Sequence, residues 1–292
     1  MTNPTTKPGP VMLKQRIITA IALLAILLPA IFYPSPKVFG AVALLLISAG
    51  AWEWARMNGT AFAPAISYAI LCAAICAATW LLGWVQLTMR GLWIVMGVAW
   101  VLLAGLLLRS GVAVWRKVPR WVALSGGILV LWAAWLAVFQ ARILGINFLF
   151  SVLVLVWVAD IVAYFSGRTF GGRFFSGKLA PSISPGKTWE GALGGAFGVV
   201  ACAWIWRWAD SVASVDSLSL YSRIGGMGAL TLTVAAVFMA VMSVAGDLVE
   251  SLFKRSAGVK DSSGLLPGHG GVLDRVDALL PILPIAMMLV AL

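Results

Sequence analysis

The chain has 292 residues, 62% of them hydrophobic and only 11% charged, with a net charge of +11. A soluble domain carries about a quarter charged residues, so no water-soluble core accounts for this composition and the chain reads as an integral membrane protein. Its apolar runs are continuous, which excludes a β-barrel, whose spans alternate in polarity over about ten residues.

Residues 1–16 read as a cytoplasmic tail. The first apolar run, Ile17 to Tyr33, follows Lys14 and Arg16 in the manner of a secretory signal. No small-residue cleavage site follows it, however, and eight further runs do. These lie near 38–55, 63–83, 91–108, 121–138, 146–166, 188–206, 225–250 and 277–292. Each approaches the roughly 20 residues that an apolar layer about 30 Å thick requires. The expected fold is all-α and polytopic, with about nine transmembrane helices. Residues 17–145 form a scaffold of about five helices and 146–292 a catalytic half of about four.

In the scaffold, Cys72 and Cys76 share a helical face with no histidine near, so they and Cys202 are packing residues and imply no disulfide. Trp52, Trp54, Trp80, Trp84 and Trp93 suit scaffold or membrane-interface positions. Glu53 lies well inside the second run, where Arg56 at i+3 is its expected partner. With the N-terminus inside, alternate segments place sixteen of the 21 Lys and Arg residues inside and five outside. That asymmetry predicts a cytoplasmic N-terminus, a periplasmic C-terminus and cytoplasmic loops at 167–187 and 254–274, in a bacterial inner membrane.

Of the ten acids only Glu53 precedes Asp160, and seven of the others, Asp160, Glu190, Asp247, Glu250, Asp261, Asp274 and Asp277, cluster at the inside face. Asp160 and Tyr164 share a face near the inner end of the sixth run. Ser184-Pro185-Gly186-Lys187-Thr188-Trp189-Glu190-Gly191 then opens the seventh. Gly-Lys-Thr suggests a P-loop, but Pro181 stands where that motif needs glycine and no strand precedes it. What survives is a flexible turn aiming Lys187 and a helix N-terminus at a phosphate, or a plain topological anchor. Asp247, Glu250, Ser251 and Lys254 follow at i, i+3, i+4 and i+7, one helical stripe able to hold a metal and a phosphate together. The bland alternative is a polar helix end with an internal Glu250–Lys254 pair, although an uncompensated Asp247 would be costly so far into the run. Lys260-Asp261 and Gly268-His269-Gly270-Gly271 form a loop whose glycines let backbone amides approach an anion, and His269 is the only histidine. Asp274 and Asp277 flank Arg275 at the mouth of the last run, where helix capping competes with metal binding. Carboxylates without a second histidine or a cysteine favour Mg²⁺ over zinc.

Ser251, Phe253, Lys254-Arg255, Lys260-Asp261, His269-Gly270-Gly271 and Asp274-Arg275-x-Asp277 together resemble the signature of the phosphatidate cytidylyltransferase family without departure. The Asp160 and Ser184–Gly191 segments fit it too, so the resemblance covers about residues 155–280. It implies Mg²⁺-dependent transfer of the cytidylyl group of CTP to phosphatidic acid within the bilayer, with Asp247 and Asp274 as metal ligands and Asp277, Asp261 and Asp160 as further candidates. Lys187, Lys254, Arg255 and Lys260 would bind phosphates, and Ser251 and His269 would position them. Ser184, Thr188, Tyr164, Arg275, Gly270 and Gly271 would line the substrate site, and apolar walls between spans would hold the acyl tails. No nucleic-acid partner is expected, and a second metal ion and a homodimer are left open. A CTP-dependent lipid kinase is the neighbouring enzyme reading. A CDP-alcohol phosphotransferase would need its Asp-Gly-x-x-Ala-Arg helix, which is absent. A transporter would spread ionisable groups through the midplane rather than gather them in loops.

Overall fold

The structure, a computed structural model, describes residues 10–292. Most of the expected tail, with Lys7, lies outside the described residues, and its final part is helical rather than a tail, because α1 (Pro10–Phe32) begins at Pro10. The scaffold continues as α2 (Pro36–Met57), α3 (Phe62–Leu81), α4 (Arg90–Trp115) and α5 (Arg120–Leu144). The second half comprises α6 (Ile146–Phe170), β1 (Lys178–Ala180), β2 (Ser184–Thr188), α7 (Trp189–Val212), α8 (Leu220–Gly225), α9 (Ala229–Ser256), α10 (Leu273–Val276) and α11 (Leu279–Ala291). Local chemistry sets several boundaries. Ser35 caps α2 with Pro36 at the first helical position, where its missing N–H costs nothing. Gly111, at φ +72°, breaks α4 just past the apolar stretch expected to span.

Among the described residues eight helices, α1 to α7 and α9, are long and apolar enough to cross a membrane. The ninth expected helix is instead two pieces, and α11 has only 13 residues. Pro281 has no N–H to return to the Asp277 carbonyl, which interrupts the hydrogen-bond ladder there although Asp277 and Ala278 keep helical dihedrals. The two pieces in tandem still cross the bundle. The segment starts beside the end of α9 and finishes at Leu292, whose carbonyl accepts from Arg90 at the start of α4.

The segments rich in Lys and Arg gather at one end of the bundle. Arg116 beyond α4 donates to the carbonyls of Arg255 and Ser256. Arg255 donates to Ile183 between the strands, and Arg16 on α1 donates to Gly268. At the opposite end Arg142 on α5 is buried and donates to the carbonyls of Ile31 and Tyr33, closing α1 onto the scaffold.

Small residues let the helices approach closely. A Cβ at Gly127 would fall 2.0 Å from the Trp54 indole, and one at Gly195 would fall 2.8 Å from the Ala159 carbonyl. The second contact is part of a Gly191/Gly195 stripe on α7 that presses against α6, setting Asp160 and the strands on one tight helix pair. Cys72 and Cys76 are fully buried packing residues, and all three cysteines are free.

Candidate active site

Lys187 does not sit on a flexible turn. Residues 178–188 form an antiparallel hairpin in which Lys178 pairs with Thr188 and Ala180 with Ser184. Pro185 is tolerated because both strands of a two-stranded ribbon are edges. The hairpin runs directly into α7, where the Thr188 hydroxyl accepts from the Gly191 amide at 3.1 Å and caps the helix. Glu190, in the first turn, accepts from the amides of Gly172, Phe174 and Phe175 through one oxygen, pinning the turn that follows α6. Two side chains thus stiffen the base of the hairpin, and Lys187 projects from it to meet Asp247 at 2.5 Å.

The stripe on α9 forms as its spacing requires. Ser251 donates to the other Asp247 oxygen at 3.3 Å, and Lys254 pairs with Glu250 one turn back. Lys254 also reaches across to Asp274 at 2.7 Å. The Lys254 ammonium therefore sits between two carboxylates in a half-buried setting, where each ion is costly to leave unpaired.

Asp274 engages donors through both of its oxygens. One oxygen takes Lys254, and the other accepts from the Gly271 amide at 2.7 Å and from the Ser262 amide and hydroxyl at 2.8 and 2.9 Å. The Gly271 amide, expected to face an anion, is thus already committed to Asp274. Gly270 adopts φ +83°, and a Cβ there would fall 2.7 Å from that same oxygen, so the tight turn requires glycine. His269 lies at the tip of the loop, its amide bonded to the Leu266 carbonyl and its Nδ1 buried without a partner. Lys260 and Asp261 are exposed on the approach to the loop.

Sequence reasoning missed the residue that holds this loop in place. Glu53 is fully buried and does not pair with Arg56, which instead donates to the Thr60 carbonyl. Its carboxylate accepts from the amides of Val272 and Leu273, both at 2.8 Å, and from the hydroxyls of Ser262 and Ser263 at 3.0 and 2.6 Å. An acid at a helix N-terminus is favourable, and here it ties α10 to α2. Thr19 and Arg16 on α1 add bonds to the carbonyls of Pro267 and Gly268. The signal in the sequence was a carboxylate deep in an apolar run. The neighbouring Arg56 concealed where its partners were.

A second group of acids forms the open side of the site. Asp160 on α6, Asp247 on α9 and Asp277 between α10 and α11 lie within Coulomb range of one another, and Lys187 faces Asp160 as well as Asp247. One Asp277 oxygen accepts from the Ala278 amide, and Asp160 is exposed on its helix. Tyr164, a turn beyond Asp160, accepts from Arg168. Ser184 is half-buried in β2, and Arg275 is exposed beside Asp274. Among the described residues no three His, Cys, Asp or Glu side chains gather tightly enough to hold a metal unaided. The donors are nevertheless all oxygens, and Mg²⁺ is commonly bound by one or two carboxylates together with substrate phosphates. Asp160, Asp247 and Asp277 fit that requirement. Asp274, as placed here, serves Lys254 and the loop.

The sequence pattern of the cytidylyltransferase family matches residues 14–292. The chain is 40% identical over 281 residues to a phosphatidate cytidylyltransferase of Pseudomonas aeruginosa, covering 94% of this chain and 95% of the relative. It is 38% identical over 301 residues to a phosphatidate cytidylyltransferase of Haemophilus influenzae, covering 94% and 96%. A third relative of that name, from Bacillus subtilis, is 39% identical over 148 residues, covering 51% of this chain and 49% of the relative.

Proposed function

The chain belongs to the cytidylyltransferase family, and on that premise we propose that its site transfers the cytidylyl group of CTP to the phosphate of phosphatidate, within a bacterial inner membrane. A phosphatidate oxygen attacks the α-phosphorus of CTP. The bond from that phosphorus to the bridging oxygen of the β-phosphate breaks, and pyrophosphate leaves as CDP-diacylglycerol forms. The nucleophile is already an anionic phosphate oxygen, so no strong general base is required.

One observation carries this reading. Two cations from different elements, Lys187 on the hairpin and Lys254 on α9, are each held on a carboxylate contributed by another element. Such a site is self-neutralised when empty. Polyphosphate gives Lys187 a better partner, and as the lysine moves to a phosphate oxygen it uncovers Asp247. Lys254 and Arg255 extend the cationic surface along the end of α9, and Lys260 stands at the loop's entrance. Ser251 and His269 orient phosphate oxygens, with Ser184, Thr188 and Tyr164 on the hairpin and α6 side. Asp160, Asp247 and Asp277 would hold Mg²⁺, which would supply charge neutralisation at the phosphates. The cations do their work as negative charge spreads over the transferring group.

The site faces the cytoplasm, where CTP is, because the basic segments share its end of the bundle. Cysteines placed at Ser176 and Ala257 will resist membrane-impermeant thiol reagents in intact cells and react in inverted vesicles. Labelling in intact cells overturns the orientation. The reaction itself is tested by incubating membranes containing the protein with labelled CTP, phosphatidate and Mg²⁺. The expected outcome is label in the lipid phase with release of pyrophosphate. Label transferred as phosphate from γ-labelled CTP would identify a lipid kinase instead.

A further inference from the structure

The turn between α6 and β1 is held so that large apolar side chains point outward. Glu190 commits one carboxylate oxygen to the amides of Gly172, Phe174 and Phe175, which fixes the backbone from inside. Phe174 is 74% exposed, with its ring 6.2 Å from that of Phe170, and the Arg173 guanidinium lies 5.9 Å from the Phe170 ring. The Phe175 ring lies 6.4 Å from that of Trp189, the first residue of α7. An ordered turn that keeps a group of phenyl rings exposed marks a contact surface.

Position and charge identify the partner. Trp189 begins a stripe on α7 continued by Leu193, Phe197, Trp204 and Trp208, all exposed and all on one face of a membrane-crossing helix. That face meets acyl chains, and the turn stands at its end. The 25 residues of α6 make a helix roughly 37 Å long, longer than an apolar layer of about 30 Å. Phe170 and the turn therefore lie at headgroup depth. Residues 161–189 contain Arg168, Arg173, Lys178 and Lys187 and no acid. Lys187 is taken by Asp247 and Arg168 donates to Tyr164, whereas Arg173 and Lys178 are exposed and enter no ion pair among the described residues. Aromatic rings interleaved with cations at that depth match a surface of acidic phospholipids.

We propose that the 170–178 turn is an anchor on the surrounding bilayer, seated in the headgroup layer by Phe170, Phe174 and Phe175. Arg173 and Lys178 bind the phosphodiesters of acidic lipids that take no part in the reaction. Seating bears on the site because Glu190 ties the turn to the start of α7, from which the hairpin carries Lys187 to Asp247. The acidity of the leaflet thereby sets how firmly Lys187 is placed.

The test uses the full chain in nanodiscs of phosphatidylcholine alone or mixed with phosphatidylglycerol. A spin label on Phe174→Cys should lie at headgroup depth or below in the mixed bilayer and nearer water in phosphatidylcholine alone. A label on Ala257→Cys, exposed beyond α9, is the reference and should stay in water in both. At fixed phosphatidate, wild-type kcat should rise as phosphatidylglycerol is added. Arg173→Gln should match wild type in phosphatidylcholine alone and need about fivefold more phosphatidylglycerol for half of that rise, the factor that one cation near an anionic surface contributes. Phe174→Ser should lose the rise, and its exposure means that folding does not depend on it. A purely structural role would change the rate equally in both bilayers. The anchor is overturned by a Phe174→Cys label in water or at equal depth in both bilayers. It is equally overturned if wild-type kcat does not rise, or if the rise survives both substitutions. The depth measurement needs no turnover, so failure of the cytidylyltransfer reading would leave it decisive.

Discussion

The two halves of the molecule use polar side chains in opposite ways. In the scaffold, helices α1 to α5, buried donors bond backbone carbonyls one at a time. Trp54 donates to Ala123, Tyr68 to Leu124, Trp135 to Gly40 and Arg142 to Ile31. Each bond joins two helices, and none of them engages a carboxylate. In the second half, charged groups bond other charged groups borne by different elements, as Lys187 does Asp247 and Lys254 does Asp274. Bonds of the first kind lock a position. Those of the second hold charges that an anionic ligand can redistribute. Glu53 crosses the division, because it is a scaffold residue whose four donors all belong to the catalytic loop.

The largest expected effect tests the exchangeable half. Asp247→Asn keeps the side-chain shape but removes the charge that pairs with Lys187 and that, on the proposed reading, would hold Mg²⁺. Turnover should fall by about a thousandfold or more while the protein inserts and purifies normally. Wild-type turnover at saturating Mg²⁺ would reduce Asp247 to a structural partner of Lys187.

Glu53→Gln asks whether the scaffold contributes to the site. A neutral amide presents one acceptor oxygen, and its N–H₂ group must oppose one of the two amides, because Val272 and Leu273 bond different oxygens. Losing charge-assisted bonds worth about 1.5–3 kcal/mol should lower kcat about ten- to a hundredfold with little change in KM for CTP. Cleavage by added protease within residues 257–272 should rise in parallel. Trp135→Phe removes a bond of the locking kind, and should cost about 1 kcal/mol of stability with kcat unchanged. If Glu53→Gln behaved like Trp135→Phe, the division between the halves would be complete and Glu53 would belong wholly to the scaffold.

Helix positions were legible in the sequence because a spanning helix needs only a long apolar run, and the gathering of the basic segments at one end of the bundle followed from charge. The break between α10 and α11 was signalled by Pro281, but the apolar run outweighed it. The hairpin was hidden because Pro185 and Gly186 are poor strand formers, and their pairing with Lys178–Ala180 depends on tertiary placement. The acids and cations of the site could be named from their spacing along single helices. Their pairing could not, since Lys254 meets Asp274 and Glu53 meets Ser262 only when distant segments pack. Periodicity reports which face a residue occupies and says nothing of what that face will touch.

Arg255→Lys should have the smallest effect and sharpen the comparison most finely. Arg255 follows Lys254 and lies at the active end of α9, yet its guanidinium donates to the backbone carbonyls of Ile183 and Val259 at 3.5 and 3.3 Å, the habit of a scaffold residue. Lys keeps the charge but lacks the planar fork. If Arg255 only ties the hairpin to α9 through weak, exposed bonds, Arg255→Lys should change kcat by less than about threefold, no more than Arg56→Lys, whose guanidinium likewise bonds a carbonyl. If instead Arg255 releases those carbonyls and grips a phosphate as charge develops, kcat should fall about tenfold or more, with little change in KM for CTP, because that interaction strengthens in the transition state. Measuring both parameters for both variants therefore decides which kind of bond Arg255 makes. A fall in kcat confined to Arg255→Lys would extend the exchangeable site one residue beyond Lys254, and parity with Arg56→Lys would end it there.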